Sequence, residues 1–243
     1  MRGVAFTMGQ IAETIVELAN VKKIYTLGKT EVPALRGVSL AIQQGDFVSI
    51  VGPSGSGKST ILNLIGCIDV PTAGTVTIAG QATSGLRDRE LTELRHRTLG
   101  FIFQSFNLIP VLNVYENIEF PLLLGKPLLS PKEKHDWLEY LIEAVGLASH
   151  RRHKPNELSG GQRQRVAIAR ALVTKPGIVL ADEPTANLDS KTGQAIITLM
   201  KTMNERLGTT FIFSTHDASI VDNADHVVQL RDGQVVENTA QGN

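Results

Sequence analysis

The 243-residue chain is poor in cysteine, in net charge and in long apolar runs. Its single cysteine, Cys67, excludes an internal disulfide and fits a reducing, cytoplasmic setting. Lys+Arg and Asp+Glu number 24 each, so the formal net charge is zero and no global field draws the protein toward nucleic acid or anionic lipid. Nucleic acid is therefore not an expected partner. No apolar run approaches the roughly 20 residues needed to span a bilayer. The opening MRGVAFTMGQIAET is too polar for a secretory signal, and residues 1–14 are expected to be a loose extension. Internal repeats and low-complexity segments are absent, and no heptad run lies between Lys58 and Ser159. What is present is 42% hydrophobic and 20% charged residues, the balance of one globular domain or one domain with an inserted lobe.

The most informative stretch is VSIVGPSGSGKSTI, residues 48–61. Val48, Ile50 and Val51 read as a buried strand. Gly52, Pro53, Ser54, Gly55, Ser56 and Gly57 form a turn, and Lys58, Ser59 and Thr60 open a helix with Ile61, Leu62, Leu64 and Ile65 on its apolar side. The order matches the phosphate-binding pattern G-x-x-x-x-G-K-[ST]. Glycines let successive N–H groups converge into a nest for anionic oxygens, and a helix N-terminus adds free donors and partial positive charge. Lys58 suits the β- and γ-phosphates and the Ser59 hydroxyl suits Mg²⁺. A plain strand–turn–helix connection is the bland alternative, and nucleotide binding is favoured over it.

Around this stretch, residues 15–27 predict a first strand, and 31–35 and 38–42 two more, broken at Arg36-Gly37. Tyr25 is either a half-buried strand tyrosine or a platform for adenine stacking. A helix is expected over 58–68, a strand over 75–79, a charged helix over 87–98 and a buried strand over 99–104. Gln104, at that strand's end, caps a loop or offers an amide oxygen to a metal. The run FNLIPVLNVYENIEFPLLL is either core or a docking surface. Residues 131–148 form an amphipathic helix, with Trp137, Leu138, Leu141, Ile142 and Val145 assigned to the core.

LSGGQ, residues 158–162, reads as a second helix start able to meet an anion, with Ser159 as N-cap. Residues 178–182 and 209–214 are further buried strands, ending in Asp182-Glu183 and Thr215-His216-Asp217. Ligands bind at that edge of open parallel sheets. Asp182 suits an outer ligand of Mg²⁺ and Glu183 a base acting on water; alternatively the two acids only cap a turn. His216 points to the same edge or is an ordinary surface group. The tail HVVQLRDGQVVEN predicts a hairpin turning at Asp232-Gly233.

Taken together, GPSGSGKS, Gln104, LSGGQ, IVLADE and STHD resemble the ATP-binding subunit of ABC transporters over residues 15–236. The resemblance implies an α/β fold: a P-loop NTPase core with a mixed sheet, a small antiparallel β layer and an inserted α-helical subdomain at about 87–173 of a single domain, 15–243. It implies Glu183, His216 and Lys58 as catalytic residues, Tyr25 under adenine, and ATP with Mg²⁺ as cofactors. Metal ligands would be Ser59, Gln104 and Asp182. It also implies a head-to-tail homodimer, in which Ser159, Gly160, Gly161, Gln162 and Asp189 act in trans on the partner's nucleotide. In Asn187-Leu188-Asp189, the asparagine departs from the small residue usual in the family. A finer similarity, carried by FQSFNLIPVLNVYENIEFPL and DEPTANLDSKTG, is to the branch of MacB-type exporters, lipoprotein releasers and FtsE-like cassettes. This implies a four-helix membrane permease with a periplasmic domain, a possible periplasmic adaptor, and a peripheral position on the cytoplasmic face of the inner membrane. Non-transport ABC ATPases and P-loop kinases are the rival readings; the former are disfavoured by the single cassette and missing coiled coil, the latter by LSGGQ.

Overall fold

The computed structural model describes residues 13–28, 30–124 and 129–240. Of the expected extension, residues 1–12 lie outside that range. Glu13 and Thr14 already belong to the fold, since the Gln44 N–H donates to the Glu13 carbonyl at 2.8 Å and β1 spans Thr14–Leu27. β2, Thr30–Gln43, pairs with β1 antiparallel along its length. The break expected at Arg36-Gly37 is instead absorbed by register shifts, bulges that keep the ladder running. β4 (Ala73–Ile78) and β5 (Gln81–Ala82) complete a four-stranded sheet in the order β2-β1-β4-β5.

The second sheet holds β3 (Phe47–Val51), β6 (Leu99–Ile102), β7 (Ile178–Asp182), β8 (Thr210–Ser214), β9 (His226–Arg231) and β10 (Gln234–Ala240). Their order is β10-β9-β3-β8-β7-β6, parallel except for β10. The sheet is therefore mixed, and the predicted tail hairpin is β9–β10. β6 lies inside the 87–173 segment expected as a helical insertion and pairs with β7 in the main sheet. It has to do so because its apolar run is buried on both faces.

Side-chain alternation splits the core in two. Val48, Ile50, Ile178, Leu180 and Ile212 face the antiparallel sheet and helix α1, Lys58–Ile65. Phe47, Val179, Ala181, Phe211 and Phe213 face α5 (Gly160–Leu172) and α6 (Ser190–Leu207). Phe47 and Phe213 pack with ring centroids 4.5 Å apart. α1 stops three residues short of the expected Ile68, because Cys67 takes a left-handed conformation at φ 52°. α2 (Asp88–Thr98), α3 (Val114–Glu119), α4 (Pro131–Ala144) and α7 (Ala218–Asp222) complete the set. On α4, Leu138, Leu141 and Ile142 are buried as expected, while Trp137 is half-buried and donates its indole N–H to the Val173 carbonyl at 2.9 Å.

His226, buried at the start of β9, donates from Nε2 to Asn238 Oδ1 on β10, and its Nδ1 lies 3.9 Å from the Asp46 carboxylate. That carboxylate raises the imidazole pKa above its ordinary value despite burial, which lowers it. A raised folded pKa contributes stability that is complete below the unfolded value of about 6.5 and is lost as pH climbs through the folded value. We expect His226→Asn to flatten the fall in urea-unfolding stability between about pH 6 and pH 8. An unchanged slope would assign that fall to other groups.

Candidate functional site

Four neighbouring parallel strands end at one edge of the sheet, and each delivers polar residues there. β3 runs into the glycine turn and α1; β6 into Phe103-Gln104; β7 into Asp182-Glu183; β8 into Ser214, Thr215 and His216. They enclose a cleft of ≈ 650 Å³ lined by Gly52, Pro53, Ser54, Gly55, Gly57, Lys58, Ser59, Thr60, Gln104, Asp182, Glu183, Ser214 and His216, together with Ala34 and Ala186.

Gly52 is required by space: a Cβ there would sit 2.1 Å from the Leu230 carbonyl oxygen. Gly57 is the left-handed N-cap of α1, at φ 107°, and lends no side chain to the first turn, so the helix start faces the cleft bare. Lys58 Nζ donates to the carbonyls of Gly52 at 2.8 Å and Pro53 at 3.1 Å, which spends two of its three N–H bonds on holding the loop closed. Ser56 does not line the cleft. Its hydroxyl is buried beneath the loop without a hydrogen bond among the described residues, and its N–H and C=O close turns with Pro53 and Gly233.

Asp182 and Ser214 are register partners on β7 and β8. One residue on, Glu183 adopts φ 45°, an uncommon conformation for a side-chain-bearing residue, and its N–H donates to the Ser214 carbonyl at 2.9 Å. The turn swings its carboxylate over the end of β8. There Oε1 lies 2.8 Å from His216 Nδ1, and Oε2 accepts from the Thr215 hydroxyl at 3.4 Å. The carboxylate is one-fifth exposed and the imidazole largely exposed, at 19% and 77% of their side-chain surfaces. An acid held by its neighbours yet open to water, beside a nest for anions, is arranged to orient water at a phosphate. Ser59 hydroxyl, Gln104 amide and Asp182 carboxylate form an all-oxygen donor set that suits Mg²⁺ rather than a softer ion.

Other expected residues lie elsewhere. Tyr25 is not in the cleft lining. Its hydroxyl donates to Asp69 Oδ2 at 2.9 Å, and Lys23 donates to Asp69 Oδ1 at 2.5 Å, so the ring is tethered beside α1 and half-exposed. Burial raises the Asp69 carboxyl pKa, but hydrogen bonds from Lys23, the Val70 N–H and Tyr25 hold it below its ordinary value. Ser159, Gly160, Gly161 and Gln162 also lie outside the lining. They form a capping box, in which Gln162 N–H donates to the Ser159 hydroxyl at 3.3 Å and Ser159 N–H to Gln162 Oε1 at 2.8 Å. The N–H groups of Gly160 and Gly161 keep no acceptor among the described residues. A Cβ at Gly161 would meet Thr192 at 2.5 Å, which explains that glycine by packing. Asp189 caps α6 through the Thr192 N–H at 3.0 Å.

The apolar run after Gln104 is core in part and exposed in part. Val114 and Ile118 are core, and buried Asn117 organises the turn before them through Ile109, Leu112 and Asn113. Leu124 and Phe103, half and more than a third exposed, join Phe101, Pro121, Arg95 and Arg170 around a second groove of ≈ 640 Å³. Sequence reasoning missed Ala34 and Ala186, small residues with no chemical signal. It also missed Ser214, the last polar residue of an apolar strand, which could have been read from the same rule that found Asp182.

A glycine nest, an amine, three metal-suited oxygens and an acid–imidazole pair at one parallel-sheet edge define a P-loop nucleotide hydrolase. The family model described as ABC transporter matches residues 35–186, and the chain belongs to that family. It is 49% identical over 222 residues to an uncharacterized ABC transporter ATP-binding protein of Thermotoga maritima, covering 91% of this chain and 93% of that one. It is 43% identical over 226 residues to the lipoprotein-releasing system ATP-binding protein LolD of Anaeromyxobacter dehalogenans, with 93% and 94% covered. Among solved structures it resembles the ATP-binding cassette MJ0796, from Methanocaldococcus jannaschii, as a dimer in a post-hydrolysis state bound to ADP and Pi. That match has a TM-score of 0.84 at 46% identity, over 94% of this chain and 99% of that one. The expected fold class, with its P-loop core, mixed sheet and antiparallel layer, is thereby observed, and the chain is an ATP-binding, ATP-hydrolysing subunit of an ABC transporter.

Proposed function

We propose that this subunit powers export or membrane extraction of a lipoprotein, peptide or drug-like cargo through a separate membrane permease. The convergence of Lys58, Ser59, Gln104, Asp182, Glu183 and His216 on one cleft carries the catalytic part of this reading. Residues 52–55 and 57–60 bind the phosphates of ATP, and Ser59, Gln104 and Asp182 would hold Mg²⁺, which neutralises charge on the phosphate oxygens when bound. Glu183 orients and deprotonates the attacking water, and His216 fixes Glu183 and contacts the transferred phosphate. Tyr25, braced by Asp69, stacks the adenine. Ser159, Gly160, Gly161 and Gln162 complete the partner's site in a head-to-tail homodimer, which the dimeric cassette relative and the unpaired Gly160 and Gly161 N–H groups support. Asp189 lies at the same interface.

The groove of Phe101, Phe103, Pro121 and Leu124 receives the permease, and no described helix is long and apolar enough to cross a membrane by itself. Similarity to the ATP-binding protein of a lipoprotein-releasing system supports a lipoprotein cargo; the permease is of the four-helix type with a periplasmic domain, joined by a periplasmic adaptor, and the subunit sits peripherally on the cytoplasmic face of the inner membrane. Co-purification of this chain with a four-helix membrane protein from native membranes tests the reading. We expect a detergent-stable complex whose ATPase activity survives reconstitution, and the substitutions Phe103→Asp and Leu124→Asp should abolish assembly. A chain that hydrolyses ATP but never joins that membrane protein would sink the transport assignment.

A further inference from the structure

Gln104 reaches the cleft from a loop without regular structure. Its side chain is exposed and makes no hydrogen bond among the described residues, so its place is set by the backbone of 103–107. That backbone is gripped from two sides. Asn187 donates its side-chain N–H to the Gln104 carbonyl at 2.9 Å. Arg170 on α5 donates from Nη2 to the Phe106 carbonyl at 2.6 Å and from Nη1 to the Asn107 carbonyl at 2.5 Å. Phe106 and Asn107 both sit in the left-handed region, at φ 59° and 49°, while the Phe106 N–H closes a turn onto the Phe103 carbonyl at 3.1 Å. The Arg163 guanidinium covers the Phe106 ring at 5.3 Å.

Arg170 is half-buried, burial lowers its pKa, and no carboxylate pairs with it among the described residues. A guanidinium in that setting stays charged and relies on its hydrogen-bond acceptors, here two loop carbonyls. The bond to Gln104 comes from the Asn187 side-chain amide, and a side chain without a donor there could not make it. We infer that Asn187 and Arg170 are positioning residues for Gln104, holding its loop from two sides so that its amide stands at the metal-bearing end of the cleft. The inference rests on the proposed role of Gln104 as a metal ligand. Arg170 and Phe103 also line the apolar groove, so the clamp physically joins the two clefts.

The test uses Mn²⁺ as a spectroscopic stand-in for Mg²⁺. Its affinity for the protein loaded with a non-hydrolysable ATP analogue is read by electron paramagnetic resonance, and analogue affinity is measured separately in EDTA. Asn187→Ala and Arg170→Lys should each weaken Mn²⁺ binding about 3- to 10-fold, the worth of a lost hydrogen bond, with metal-free analogue affinity unchanged. The pair Gln104→Ala/Asn187→Ala should be no weaker than Gln104→Ala alone, because the second residue acts through the first. Asn187 is exposed, so its variant serves even where Arg170→Lys fails to fold. If Gln104→Ala weakens Mn²⁺ binding while Asn187→Ala does not, the clamp is structural only and the metal role of Gln104 stands. If Gln104→Ala itself changes nothing, the metal role fails and the inference with it. Equal weakening in EDTA would likewise overturn the inference.

Discussion

Glu183→Gln is expected to lower kcat for ATP about 10²- to 10⁴-fold, the usual worth of a positioned general base, and to leave ATP affinity nearly unchanged. The substitution keeps shape and conformation: the N–H bond to Ser214 is backbone, and a glutamine oxygen can still accept from His216 at the position Oε1 holds. It removes only the basic lone pair that would take a proton from water. Because hydrolysis stops while binding persists, ATP-bound dimers should accumulate, visible as a shift from monomer to dimer in size-exclusion chromatography with ATP. Steady-state turnover at the native rate would move the base elsewhere. Turnover loss without dimers would separate the catalytic reading from the head-to-tail one.

Lys58→Ala is expected to weaken ATP binding by about 10- to 150-fold, the range for one charged hydrogen bond of about 1.5–3 kcal/mol. The cation beside the phosphates is lost, and so are its bonds to Gly52 and Pro53, which leaves two loop carbonyls without their donor. Both changes loosen the same nest, so the effect should fall on nucleotide affinity more than on thermal stability. Titration calorimetry with ATP, with a melting curve as control, separates the two. Unchanged affinity would count against the loop as the phosphate site.

Lys58 and its loop are the most legible part of the molecule, and the reason is locality. Strand, glycine turn and helix start follow one another within 48–61, so composition and spacing state the geometry directly. Asp182, Gln104 and His216 were legible by one further rule, that parallel strands present their ends at a common edge. Boundaries were less legible. β2 runs through Arg36-Gly37 because pairing with β1 outweighs a local breaker, and α1 ends early because Cys67 turns left-handed.

What no local pattern contains is the set of contacts between residues far apart in the chain. Whether Ser56 faces the phosphates or the core depends on the approach of Leu230 and Gly233 beneath the loop. Tyr25 is placed by Asp69, Gln104 by Asn187 and Arg170, and Glu183 by His216, each through a bond across elements that meet only after folding. Residue types and spacing are enough to name the chemistry, since a phosphate nest, a metal-suited carboxylate and a base are properties of short segments. Their mutual distances come from strand order and register in the sheet. That is why LSGGQ, recognisable as an anion-seeking helix start, could be seen to lie outside its own chain's cleft only when the fold was built, with the Gly160 and Gly161 N–H groups still unpaired among the described residues.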